Sequence, residues 1–308
     1  MTLEIVPLTD AAHETLRALL HHPSVAPQFD KFLGPDGLEH KLSDRKLDRD
    51  CLRLARLDGE PVGFGVAWVL PQPTNVWTMT RVAVIEPHRG KGVGRALAEA
   101  VIAAVRAKAP PGAPVEVAGA AWMPQPHAEA LATSLGFEPE RFFWLMERPR
   151  GPVAPPEWPA GVTVRTFDGS DAMLADWHDV YNDSFAQHYR FTPASIEDGR
   201  HIVAGPHFRP DGLLLAWRDG AIAGFCRIEL HETRGEIGVL GTAHAARGIG
   251  LGRALLRWGV QWLERETTTP VTLLVDGVNE NALELYRSEG FEVSRTRRIW
   301  GRTYEGRA

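Results

Sequence analysis

The chain has 308 residues, 44% of them hydrophobic and 24% charged, with a formal net charge of −5. That length exceeds one ordinary core and suggests two domains, while the composition is that of a globular protein and not of a disordered or membrane chain. The negative balance argues against a nucleic-acid partner, which needs a basic face to replace the counterions of phosphates.

From the N-terminus, Met1 to Leu20 lacks a basic region followed by a long apolar run, and no later segment reaches the roughly 18 apolar residues of a membrane span. A cytoplasmic protein with no membrane partner is therefore expected. Cys51 and Cys226, one in each half, allow no disulfide framework and read as buried thiols.

The elements then follow as strand, helices, hairpin, strand, glycine loop, helix, strand, helix and strand. The hairpin is carried by Ala55-Arg56-Leu57-Asp58-Gly59 and Gly63-Phe64, two apolar runs joined across an Asp-Gly turn. The glycine loop is Arg89 to Gly94, and Leu135-Gly136-Phe137 closes the set. Prolines 149, 152, 155, 156 and 159 then mark an extended connector.

Beyond it the same signals return in the same order: Ala216 to Gly220 with Gly224-Phe225, the loop Arg247 to Gly252, and Glu289-Gly290-Phe291. One unit has been duplicated. The expected domains are 1–148 and 160–308, joined by a linker over 149–159. Because the hairpin precedes the helix, each unit reads as α+β, a mixed and mostly antiparallel sheet flanked by helices. The second post-loop helix places Leu255, Leu256, Gly259, Trp262 and Leu263 on one face, and Val271 to Val275 reads as a strand covered on both sides.

In both loops a strand runs into Arg-Gly-x-Gly-x-Gly-Arg-Ala-Leu, and the helix begins inside the motif. Glycines remove the Cβ atoms that would hold a ligand off, so main-chain N–H groups and the helix dipole can converge on an anion such as a pyrophosphate. Arg89 and Arg247 suit an anion as well, since a cation beside a helix N-terminus is otherwise unfavourable. A P-loop is excluded because Gly90-Lys91 leads to Gly92. A dinucleotide fingerprint is excluded because Leu97 and Leu255 stand where its third glycine belongs. The remaining alternative is a tight strand-to-helix turn without a ligand.

These loops, together with Asn279-x-x-Ala282-x-x-x-Tyr286-x-x-x-Gly290-Phe291, resemble the acetyl-CoA pyrophosphate loop and late helix of the GNAT superfamily. The resemblance covers nearly the whole chain and implies two tandem acyl-CoA N-acyltransferase domains with acetyl-CoA as cosubstrate. It places the cofactor on Leu240, Gly241, Thr242, Arg247, Gly248, Ile249, Gly250, Leu251, Gly252, Arg253 and Asn279. In the first copy it points to Val82, Val84, Arg89, Gly90, Lys91, Gly92, Val93, Gly94 and Arg95.

It also implies Glu236 as the base that takes a proton from the acceptor ammonium, and Tyr286 as the acid toward the departing thiolate. The other readings are a solvated carboxylate at a strand end and an aromatic packed beside Phe291. Counting back from the shared motifs, Thr78, Ala132 and Gln125 stand where the second copy has Glu236, Tyr286 and Asn279. The first domain is therefore expected to be catalytically degenerate, either binding CoA or supporting the fold.

The tandem plan is similar to that of the mycothiol synthases within this superfamily. That likeness implies acceptor contacts near Asp30, Arg190 and Glu229, but Arg190 and Glu229 reverse the charges expected there, which implies another small-molecule amine as acceptor. No metal is expected despite twelve histidines, because neither His-Glu-x-x-His nor Cys-x-x-Cys occurs. A monomer or homodimer is expected.

Overall fold

The computed structural model describes residues 2–29, 37–231 and 234–306. The chain forms two compact units, one of residues 1–142 with 297–308 and the other of residues 143–296.

In chain order the elements begin with β1 (Leu3–Pro7), α1 (His13–His21), α2 (Ala26–Phe29) and α3 (Leu38–Leu42). They continue through β2 (Arg53–Leu57), β3 (Glu60–Pro71), β4 (Val76–Val84), α4 (Val93–Lys108), β5 (Val115–Trp122), α5 (Pro126–Ser134) and β6 (Glu138–Arg148). The second half has β7 (Val162–Thr166), α6 (Asp171–Phe185), α7 (Ile196–Val203), β8 (Leu213–Arg218), β9 (Ala221–His231) and β10 (Arg234–Thr242). It ends with α8 (Leu251–Glu266), β11 (Val271–Asp276), α9 (Glu280–Ser288) and β12 (Glu292–Tyr304).

In the first unit the strand order is β1-β2-β3-β4-β5, with Arg297–Tyr304 of β12 antiparallel to β5. In the second it is β7-β8-β9-β10-β11, with 143–148 of β6 antiparallel to β11. Among these ladders only β4–β5 and β10–β11 are parallel. Each is bridged by the helix that follows the glycine loop, the crossover that a parallel pair requires.

Both hairpin turns take positive φ at the Asp and the Gly, 51° and 87° at Asp58-Gly59 and 52° and 85° at Asp219-Gly220. These are the mirror-image turns whose twist matches the flanking strands.

The second unit's core shows why its strands are apolar throughout. Along β8, Leu213, Leu215 and Trp217 pack with Trp177 and Val180 of α6, while Leu214 and Ala216 pack with Leu255 and Leu256 of α8. Alternate side chains therefore enter cores on opposite faces. The first unit is arranged likewise, with Phe64 and Val66 against Leu16 and Leu20 of α1 on one face, and Val117 against Val101 and Val105 of α4 on the other. Both cysteines are buried.

The proline-rich stretch packs within the second unit. Val153 and Trp158 lie on its core, Gly151 N–H donates to Glu264 Oε1 at 3.1 Å, and Arg257 pairs with Glu157 at 3.1 Å.

Candidate active site

The site in the second unit starts from a break in a ladder. β10 pairs with β11 only from Gly235–Val271 to Ile237–Leu273, although β10 runs on to Thr242 and β11 to Asp276. On its other edge β10 carries a bulge against β9 between Ile237 and Val239. A bulge bends its strand and strengthens the local twist, so β10 turns away from β11 where its main chain passes toward the glycine loop. Gly238 fits that bend because a Cβ there would stand 2.8 Å from Glu229 Cγ.

Glu236 sits just before the bulge, with only 3% of its surface exposed. It faces Glu229 across the β9–β10 ladder, and Arg234 Nε lies 3.2 Å from its carboxylate. Glu229 is held by Arg227 at 2.8 Å and by His231 at 3.3 Å, and His231 stacks on His207 with ring centroids 4.4 Å apart. Glu229, His231 and Glu236 bring possible metal-ligand atoms within 4.8 Å of one another. The arginines beside the two carboxylates already balance their charge, which favours a proton-handling group over a cation cage.

Tyr286, on α9, packs against the core that includes Ile237 and Cys226, and its ring centroid lies 6.1 Å from that of Phe291. Thus it does pack beside Phe291. Burial pushes its phenol up to about 12, with the neighbouring Cys226 adding to the effect. Asn279 caps α9, its side chain accepting from Ala282 N–H at 3.2 Å.

The loop itself has the expected form. Gly248 and Gly250 take φ of 77° and 89°, a conformation that disfavours other residues, and α8 starts at Leu251 directly after them. Ile249 and Gly252 complete the turn, while Leu240, Gly241 and Thr242 form the end of β10. Two arginines have tasks that sequence reasoning did not assign. Arg247 Nη2 donates to the Ser184 carbonyl in the last turn of α6 at 2.9 Å, where a cation suits the helix dipole. Arg253 reaches Ser288 at 2.9 Å and pairs with Glu289.

Arg190 lies in the segment after α6 with φ of 50°, its Nε donating to Tyr189 Oη at 2.9 Å. Asp30 falls outside the described residues. Sequence reasoning missed Arg227, His231 and Arg234. The alternation Arg227, Glu229, His231 along one strand was the available signal, because residues two apart share a face.

In the first unit the loop repeats this backbone: Gly90 and Gly92 have φ of 73° and 82°, and α4 begins at Val93, followed by Gly94. Arg89 donates to the carbonyls of Val84 at 2.9 Å and Ser24 at 2.6 Å, and Arg95 to that of Ser134 at 3.0 Å. Lys91 is exposed, and Val82 and Val84 close β4. The chemical groups differ. Thr78 is fully buried and spends its hydroxyl on the Trp68 carbonyl at 2.7 Å, opposite Val69. The β3–β4 ladder continues without a bulge from Pro71–Val76 to Gly63–Val84. Gln125 begins α5 with no side-chain cap bond, and Ala132 lies on that helix.

Comparison with known proteins agrees with the duplication. The model of the acetyltransferase (GNAT) family matches residues 16–137 and again 174–291. The chain is 36% identical over 256 residues to a mycothiol acetyltransferase of Thermomonospora curvata, covering 82% of each protein. It is 39% identical over 227 residues to a mycothiol acetyltransferase of Frankia alni, a match that covers 68% of this chain and 66% of the relative. Among solved structures, a GCN5-related N-acetyltransferase from Sphaerobacter thermophilus superposes with a TM-score of 0.74 at 25% identity, covering 99% of this chain and 97% of that one. A tandem GNAT protein from the clavulanic acid biosynthesis pathway shares the fold, with a TM-score of 0.68 at 20% identity and 98% of each chain covered. Among the described residues, no helix is long and apolar enough to cross a membrane.

Proposed function

This chain belongs to the acetyltransferase (GNAT) family, and on that premise we propose that its second unit transfers an acetyl group from acetyl-CoA to a primary amine of a small molecule. The observation that carries the reading is the asymmetry between the units. Both keep the glycine loop, but only the second has a buried carboxylate just before a bulge that parts the parallel strands.

In this reading the loop main chain from Gly248 to Gly252 receives the pyrophosphate, and the thioester arm lies along Val239 to Thr242. Main-chain N–H groups on the edge of β10 that no longer pairs with β11 receive the carbonyl oxygen as it becomes an oxyanion. Glu236 accepts a proton from the acceptor ammonium, the amine nitrogen bonds to the carbonyl carbon, and the carbon–sulfur bond breaks. Tyr286 meets the sulfur as it leaves. A phenol at about 12 is a weaker acid than an ordinary thiol, whose reference value is about 8.5. Tyr286 therefore stabilises the thiolate by donating a hydrogen bond more than by surrendering its proton.

Glu229 and Arg190 serve the acceptor. Glu229, opposite Glu236 and held by Arg227 and His231, offers the acceptor amine a carboxylate oxygen as a hydrogen-bond acceptor. The names of the relatives favour a second reading, in which the acceptor is the cysteinyl aminosugar precursor of mycothiol. The charges at Arg190 and Glu229 weigh against it.

The test is thiol release from acetyl-CoA with a panel of cysteinyl-glucosaminyl-inositol, aminoglycosides, polyamines and peptides, comparing the protein with Glu236→Gln and Tyr286→Phe. Turnover unchanged in both variants would remove the assignment.

A further inference from the structure

In the first unit the gap between the parallel strands is already filled. β4 and β5 pair from Val76–Val115 to Thr80–Gly119, whereas in the second unit the matching pairing ends at Ile237–Leu273. Past the Thr80–Gly119 pair the end of α2 enters. Gln28 Nε2 donates to the Trp122 carbonyl at 3.1 Å, and Trp122 N–H donates to Gln28 Oε1 at 2.8 Å. One side-chain amide thus meets both main-chain groups of a β5 residue, as a neighbouring strand would.

Arg81, the next β4 residue after the last pair, donates to the Gln28 carbonyl. Its guanidinium lies 4.5 Å from the centroid of the Phe29 ring, and the residue is 6% exposed. The end of α2 is therefore tied to β5 through Trp122 and to β4 through Arg81. Counting by the spacing of the two loops, the second unit has Val239 in place of Arg81. β5 is also longer than β11, eight residues against six, and the added length presents Trp122 to Gln28.

We propose that Gln28 and Arg81 plug the thioester slot of the first unit, so that the chain takes up one acyl-CoA and not two. Held by Trp122 of β5 on one side and by Arg81 of β4 on the other, Gln28 stands across the space in which the arm of the cosubstrate would run along the end of β4. Entry of that arm would strip a satisfied amide pair and break the bond from Arg81 to the Gln28 carbonyl. The glycine loop of this unit then acts as a strand-to-helix turn, held by Arg89 on the carbonyls of Val84 and Ser24.

This inference rests on acetyl-CoA binding in the second unit. Calorimetric titration of the full chain with CoA should give one site per chain, lost in Gly250→Val and retained in Gly92→Val. Gln28→Ala/Arg81→Ala, checked for an unchanged melting profile of the second unit, should gain a second, weaker site that Gly92→Val removes. Two sites in the unaltered protein would overturn the plug, and so would a single site in the folded double variant. A second readout needs no ligand: exchange of the Trp122 amide proton should be slow and become about tenfold faster in Gln28→Ala, the loss of one buried hydrogen bond. Fast exchange in the unaltered protein would contradict the plug. No CoA binding at all with slow Trp122 exchange would instead sink the proposed cosubstrate and leave the plug standing.

Discussion

Glu236 and Thr78 occupy matching positions before the two glycine loops, and their surroundings decide what each can do. Thr78 has one neutral hydroxyl, already given to a carbonyl, whereas Glu236 is a buried carboxylate between Arg234 and Glu229. Glu236→Gln keeps the shape and removes the proposed base, so turnover should fall by about a hundredfold or more. Tyr286→Phe should cost about tenfold, as expected for a hydrogen bond to a leaving group. The phenol also leaves a trace in stability. Its value near 12 in the folded protein exceeds the unfolded value of 10, so its contribution is fully present below pH 10 and lost as pH rises toward 12. Melting curves of Tyr286→Phe should therefore fall less steeply across that window, and an identical slope would contradict the buried placement. Glu289 behaves oppositely. Burial works to raise its carboxyl, but hydrogen bonds from Arg257 and Arg253 outweigh it and hold the group below its ordinary range. Its contribution is present above the unfolded value of 4.5 and fades as pH falls through the folded value. Glu289→Gln should lose about 2 kcal/mol at neutral pH in urea unfolding and show a flatter acid limb.

At the scale of elements, α8 packs closely on β9 and β10 at Gly259. A Cβ at Gly259 would lie 2.6 Å from Ile237 Cδ1 and 2.9 Å from Cys226 Sγ. Gly259→Ala should thus cost about 1–3 kcal/mol through overpacking, measured by urea unfolding of the second unit. An unaltered midpoint would show that α8 can stand further from the sheet. Much of this level was legible in the sequence because short-range chemistry specifies it. Asp-Gly between apolar runs forces the mirror-image turns, paired glycines permit the positive φ before α4 and α8, and helical spacing aligns Leu255, Leu256, Gly259 and Trp262. The bulge at Gly238 and the bridge from Gln28 to Trp122 were not legible. Both depend on which distant residue stands opposite, and no local pattern around Gln28 announces a partner 94 residues away. For the same reason the bond from Arg247 to the last turn of α6 was not legible.

For the whole molecule, the duplication was visible as an ordered recurrence of motifs, yet the compact units do not follow the proline stretch. The first unit includes 297–308, and the second begins at Phe143. A fragment of 160–308 therefore lacks the strand that borders β11 and should aggregate or melt without a cooperative transition, whereas 143–296 should fold. Circular dichroism melts of the two fragments distinguish these outcomes, and a cooperative 160–308 would show that 143–148 is dispensable. The unequal equipment of two similar loops remains the central claim, and one assay addresses it most directly. Thiol release from acetyl-CoA with the amine panel should fall by about a hundredfold or more with Glu236→Gln and be unaffected by Gly92→Val in the first loop. Activity that survives Glu236→Gln but disappears with Gly92→Val would place the chemistry in the other unit and contradict the account.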